Sequence, residues 1–211
     1  METPTQSLNC KIVFVLGPPG SGKGTLCNLT CNNLNMAGKI YHHLSVGDYL
    51  RELCEIGMPC EDENFDFDRI RIHLRDSRLL PANVLIPVLK YKMRTTPNGN
   101  GAATTWLIDG FPRNMETALA FEKEIGGPAK VVVLECTHHT ARHRFLTRSR
   151  EKSDDEKKFE RRYDEYVENM KEILKHYEGK IETICVDGPY VGYSHQFLCA
   201  LPVEKAYYLG T

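Results

Sequence analysis

Residues 11–25 read Lys11-Ile12-Val13-Phe14-Val15-Leu16-Gly17-Pro18-Pro19-Gly20-Ser21-Gly22-Lys23-Gly24-Thr25. The unbroken apolar run ending at Gly17 predicts a strand buried on both faces. A helical pattern follows over about residues 23–36. The segment between them fits G-x-x-x-x-G-K-[ST], with Gly24 interposed between Lys23 and Thr25. Glycines let successive backbone N–H groups turn inward around a phosphate, and the helix N-terminus adds its positive dipole end. Lys23 supplies a mobile charge for the outer phosphates, and Thr25 a hydroxyl near Mg2+. Pro18, Gly20, Ser21, Gly22, Lys23, Gly24 and Thr25 are therefore the expected wall of a nucleoside triphosphate site.

Further buried runs lie at about residues 40–44, 105–108, 131–134 and 181–186, with helical patterns between them. That alternation predicts an α/β fold: a parallel sheet of about five strands with helices on both faces. The strongest helix spans about residues 156–178, where Phe159, Tyr163, Tyr166, Val167, Met170, Ile173, Leu174 and Tyr177 recur at three- and four-residue steps. A second is expected at about 82–94, although Pro87 inside it would cost about 3 kcal/mol unless the helix kinks or starts there. Residues 95–104 read as a surface loop, and 188–211 as a loop with a short helix.

With 211 residues, 41% apolar and 26% charged, the chain suits one globular domain rather than a disordered or fibrous one. Lys and Arg total 27 against 28 Asp and Glu, a net charge of −1, which gives no general footprint for nucleic acid or a membrane. Any anionic ligand must be held by locally placed groups. No apolar run reaches the ~18 residues of a membrane span, and the N-terminus lacks a secretory pattern. Eight scattered cysteines without a Cys-x-x-Cys pair predict reduced thiols and a cytoplasmic location, with access to the nucleus. The histidines at 42, 43, 138, 139 and 143 lack a third ligand set and are expected to be structural or surface groups.

Two more stretches carry chemistry. In Leu44-Ser45-Val46-Gly47-Asp48-Tyr49-Leu50-Arg51, Asp48 suits a helix start, and Arg51 would offer a fork of donors to a phosphate. In Trp106-Leu107-Ile108-Asp109-Gly110-Phe111-Pro112-Arg113, an apolar strand ends in an Asp able to hold a water on Mg2+, and Arg113 is a second clamp. With the Lys-Gly-Thr ending of the glycine loop, these stretches resemble the nucleoside monophosphate kinases of the adenylate kinase and UMP-CMP kinase family, over about residues 10–187.

The resemblance implies a P-loop NTPase-type sheet, with a core of about residues 10–44, 78–148 and 156–211, a helical monophosphate-binding flap of about 45–77 and a short lid of about 149–155. It implies phosphoryl transfer from Mg-ATP to a nucleoside monophosphate by a monomer, with no nucleic-acid or membrane partner. Lys23, Arg51, Arg113, Arg148 and Arg162 would carry the transfer, and Arg144 and Arg148 would also contact ATP. Mg2+ would be held by Thr25 and Asp109, largely through water. The acceptor would lie against Ser45, Val46, Arg51, Leu79, Leu80, Gly110, Phe111, Pro112, Arg113, Thr117, Lys152 and Arg162.

Several positions depart from the family pattern. Lys152 stands where short-lid relatives carry Arg, with Arg150 a candidate replacement. Val46 lacks the hydroxyl common in adenylate kinases, and Thr117 replaces the amide that usually reads the base. Asn114 could take over part of that reading, and with Cys136 it points to the UMP-CMP branch, with AMP as the alternative acceptor. The rival readings are a nucleotide-binding regulator without turnover and a P-loop kinase for another small molecule; Asp109 to Arg113 argues against the second.

Overall fold

The run around Phe14 forms β1 (Cys10–Leu16), the central strand of a five-stranded sheet in a computed structural model that describes residues 10–56, 65–97, 104–148 and 155–202. Its partners are β2 (Ile40–Ser45), β3 (Thr104–Asp109), β4 (Lys130–Glu135) and β5 (Ile181–Cys185). All pairings are parallel, in the order β2-β3-β1-β4-β5. The eight helices among the described residues are α1 (Lys23–Met36), α2 (Val46–Ile56), α3 (Phe67–Arg75), α4 (Ala82–Thr95), α5 (Met115–Glu124), α6 (His138–Thr147), α7 (Glu156–His176) and α8 (Tyr190–Ala200).

The pleat of β1 divides the core. Ile12, Phe14 and Leu16 enter one apolar cluster with residues of α2, α4, α5 and α7, while Val13 and Val15 enter another with α1 and α8. Both faces are covered, which is why the strand reads as a continuous apolar run rather than an alternating one. Phe14 is fully buried and meets Phe111, Phe121 and Tyr177 edge-on at 5.4, 5.4 and 5.8 Å. Burial of a side chain this size contributes about 1.5–3 kcal/mol.

Helix boundaries follow local chemistry. The Asp155 carboxylate caps α7, accepting from the Lys158 N–H at 2.8 Å. Along α7, Phe159, Met170 and Ile173 are buried, but Val167 is 55% exposed and lies off the packed stripe. Pro87 sits inside α4 on its exposed side, where Asn83, whose carbonyl would have been its partner, is also exposed. α2 starts at Val46, two residues before the expected start at Asp48. Asp48 instead stands in the first turn and accepts from the Ser45 hydroxyl at 2.7 Å. The C-terminal stretch is a full helix, α8, whose Phe197 and Ala200 complete the second cluster; residues 203–211 lie outside the described residues.

Register places the site. Val15 of β1 and Ser45 of β2 both pair with Asp109 of β3. The carboxyl ends of three adjacent strands thus meet where the strand order reverses across β1, the position at which open α/β sheets bind ligands.

Candidate functional site

A cleft of about 870 Å3 opens at these strand ends, lined by the loop after β1, the start of α2, the β3–α5 turn, α6, α7 and the first turn of α8. Gly20 and Gly22 adopt left-handed φ of 86° and 85°, the latter as the residue preceding α1. At Gly20 a side chain is excluded, because a Cβ would stand 2.0 Å from the Ala141 carbonyl oxygen. The Lys23 ammonium reaches back over the loop and donates to the carbonyls of Gly17 (2.8 Å) and Pro18 (2.9 Å) and to the Ser21 hydroxyl (3.2 Å). Burial pulls Lys23 down to about 8; Asp109 opposes this, and Arg113 and Arg162 add to it. A cation held at some expense by carbonyls and ringed by arginines would gain from an arriving polyanion. Gly24 and Thr25 open α1, Thr25 exposed to the cleft.

Asp109 is buried, with 6% of its surface exposed, and Gly24 lies so close that a Cβ there would be 3.2 Å from its Oδ2. The position between Lys23 and Thr25 thus leaves room for the carboxylate. A hydroxyl and a carboxylate are the hard oxygen donors that suit Mg2+, so Thr25 and Asp109 fit such an ion. Among the described residues no group of three or more His, Cys, Asp or Glu converges to cage a metal. This set therefore suits an ion that arrives with phosphate ligands and keeps its waters. His43 enters the site from β2, its Nε2 3.6 Å from Asp109 Oδ2. The expectation of a structural or surface histidine missed this placement. The neighbouring His42 fits it, packing against Trp106 at 4.8 Å between ring centroids.

Five arginines face the same space. A Cβ at Gly47 would lie 3.5 Å from Arg51 Nη2 and 3.9 Å from Arg113 Nη2, so two guanidinium forks converge above one glycine. Arg51 is held by the Asp48 carboxylate one turn back, and Arg113 Nε donates to the Gly110 carbonyl at 3.0 Å. Arg113 opens onto the cleft, yet the protein around it pulls its guanidinium below the ordinary range; Glu165 and Asp109 oppose that pull, and Arg51 adds to it. Arg148 and Arg162 approach from α6 and α7, their guanidinium carbons 4.0 and 5.9 Å from the Phe145 ring centroid. Phe145 is fully buried and positions both. Arg144 lines the cleft beside Arg148.

Phe145 and Glu165 escaped the sequence reading. Glu165 borders the cleft between Arg113 and Arg162; burial raises its carboxyl, and Arg113, Arg162 and Arg161 draw it back. Its place on the arginine-bearing face of α7, three residues after Arg162, was the available signal.

A smaller cavity of about 110 Å3 adjoins Arg51, Arg113 and Arg162 beneath α2 and α3. Val46, Leu79, Leu80, Gly110, Phe111 and Thr117 line it, and Pro112 lines the main cleft, as does Ser45. Val46, Leu80 and Phe111 are buried and make part of its wall apolar. Thr117 is 3% exposed, and its hydroxyl donates to the Asn114 carbonyl (3.1 Å) and Oδ1 (2.8 Å). Asn114 Oδ1 also caps α5, accepting from the Thr117 N–H at 2.9 Å. Both candidate base readers are therefore tied to each other, and the oxygen of Asn114 is committed to the helix cap. Arg150, Lys152, Ser153 and Asp154 lie outside the described residues, as does the rest of the expected lid except Asp155.

The family model described as adenylate kinase matches residues 15–182. UMP-CMP kinase 2 of Caenorhabditis elegans is 33% identical over 172 residues, covering 79% of this chain and 82% of its own. UMP-CMP kinase of Sus scrofa is 32% identical over 185 residues, covering 82% and 88%. Adenylate kinase 1 of Schistosoma mansoni is 30% identical over 188 residues, covering 88% of each. A match across most of the chain, from the strand that carries the glycine loop to the last strand of the sheet, places this protein in the adenylate kinase family.

Proposed function

We propose that this protein transfers the terminal phosphoryl group of Mg-ATP to a nucleoside monophosphate, giving ADP and a nucleoside diphosphate, with UMP and CMP as favoured acceptors. The observation that carries the proposal is the convergence of Arg51 and Arg113 over Gly47, between the glycine loop and the smaller cavity. One anion would sit in the cradle of Gly20 to Thr25 and another under the two forks. Similarity to UMP-CMP kinases supports the pyrimidine preference, as does the lack of a free hydroxyl or amide oxygen at Val46, Asn114 and Thr117.

The chemistry asks for alignment and charge neutralisation rather than a protein nucleophile. Lys23 would leave its three loop acceptors for the outer phosphates of ATP. Arg113 and Arg51 would hold the acceptor phosphate with an oxygen directed at the donor. Arg148 and Arg162, steadied on Phe145, would meet the charge that develops on the phosphoryl group in transit. Thr25 and Asp109 would hold Mg2+, largely through its waters, and the ion would supply charge neutralisation at the phosphates. Arg51 belongs to α2 and is held by Asp48 of the same helix, so residues 45–77, acting as a flap over the monophosphate, would carry this half of the clamp, with 149–155 as a lid over ATP. A cytoplasmic monomer is the setting this reading expects.

Chromatography of a mixture with Mg-ATP and either UMP or CMP tests the proposal. Equal amounts of ADP and the matching diphosphate are expected; ADP with inorganic phosphate and no diphosphate would contradict it.

A further inference from the structure

The acceptor cavity contains a polar group outside the motifs of the sequence. His73, in the last turn of α3, lines it and bonds through Nδ1 to the Leu79 carbonyl oxygen at 2.7 Å. A carbonyl oxygen only accepts, so Nδ1 must carry the hydrogen. In a neutral imidazole that leaves Nε2 as a lone-pair acceptor, its tautomer fixed by the backbone. The ring is half-buried, and Nε2 has no hydrogen-bond partner among the described residues.

Most other polar side chains of the cavity are of the opposite kind; the exception is Glu165, a carboxylate that interacts with Arg113 and Arg162. Asn114 Oδ1 is committed to the α5 cap, which leaves amide hydrogens to offer. Arg78, exposed at the rim, can only donate. Ser77 can donate or accept and so does not discriminate. Away from Glu165 and its arginines, a wall with one fixed acceptor among donors complements cytosine, whose amino group donates while N3 and O2 accept. Uracil presents two carbonyl acceptors around an N3–H. It would set O4 against the lone pair of His73, and two acceptors facing each other leave both unsatisfied.

We propose that His73 is a specificity-determining residue of the acceptor site, selecting a base that carries an exocyclic amino group over its oxo counterpart, and hence CMP over UMP. This rests on the acceptor site assigned above. Loss of one such hydrogen bond corresponds to roughly a tenfold change in discrimination.

The test is calorimetric binding of CMP and UMP to the full chain in mildly alkaline buffer, with kcat/KM measured alongside. The parent should favour CMP, and His73→Leu should lower the CMP-to-UMP ratio about tenfold in both readouts. His73→Gln, whose terminal amide can turn either face to the base, should give an intermediate ratio and guards against a folding defect in the first variant. A merely structural histidine would shift both affinities together and leave their ratio unchanged, which would overturn the proposal. A parent that favours UMP, with a preference abolished by Arg78→Ala and not by His73→Leu, would also overturn it. If the protein takes only purines, the pyrimidine reading fails while AMP against GMP poses the same amino-versus-oxo choice to His73. An AMP preference lost in His73→Leu would then sustain the selector, and an unchanged ratio would refute it.

Discussion

Raising the pH from about 7 to about 9 should discharge Lys23, which burial holds at about 8 against the pull of Asp109. With a single titration at that value, the charged fraction falls from about nine-tenths to about one-tenth. Below this range the ammonium is present to meet the phosphates of ATP; above it the contact is lost. The affinity for ATP, and kcat/KM with it, should therefore drop about tenfold across the interval, then level off at the affinity of the uncharged form. Bound ATP surrounds Lys23 with negative charge and raises its proton affinity, so kcat at saturation should change much less. Neighbouring groups do not confuse the assignment. Burial pushes Cys136 and Tyr166 upward and holds Tyr49 at about 12. The assay is binding of a fluorescent ATP analogue across this pH range, for the parent and for Lys23→Met. The variant should bind on the order of ten- to a hundredfold more weakly at about pH 7 and show no further alkaline loss. A flat profile in the parent, or the same alkaline limb in Lys23→Met, would refute the reasoning.

Gly20→Ala and Gly22→Ala separate backbone strain from crowding, because both glycines have left-handed φ near 85° but only Gly20 lies against another backbone. Gly22→Ala should cost about 1–2 kcal/mol from φ alone, and Gly20→Ala clearly more, as read by urea unfolding; equal losses would contradict the packing argument. Arg113→Ala should raise the KM for the monophosphate by at least about tenfold and leave the KM for ATP within about twofold. A loss confined to ATP would put Arg113 on the wrong substrate. Phe14→Ala empties the point where four aromatic rings meet and should cost about 3–5 kcal/mol in unfolding free energy. A loss below about 1 kcal/mol would mean that this face of β1 is not the core.

Sequence reading succeeded where one local rule decides the outcome. Strands buried on both faces show as unbroken apolar runs, so β1, β3 and β4 were legible within a residue or two. The glycine loop was legible because phosphate chemistry confines its residue types to consecutive positions. Contacts set by tertiary approach were not. His43 reads like His42, yet strand alternation sends one toward Asp109 and the other against Trp106. Val167 fits the helical period of α7 but projects beyond its packed stripe. Asn114 suits base recognition by residue type; only the fold shows its oxygen spent on capping α5. Phe145 stands in the sequence only as an apolar residue; the fold sets two arginines beside its ring. For His43 and Asn114 the deciding partner is distant in sequence or belongs to the backbone.

The central claim is transfer between two nucleotides, and it is tested most directly by ADP release with Mg-ATP against AMP, UMP, CMP, dCMP, GMP and dTMP in parallel. The account predicts turnover with the pyrimidine monophosphates, CMP foremost, and little with GMP. Silence with every acceptor, by a protein that still binds ATP, would contradict it and leave a nucleotide-binding regulator in place of a kinase.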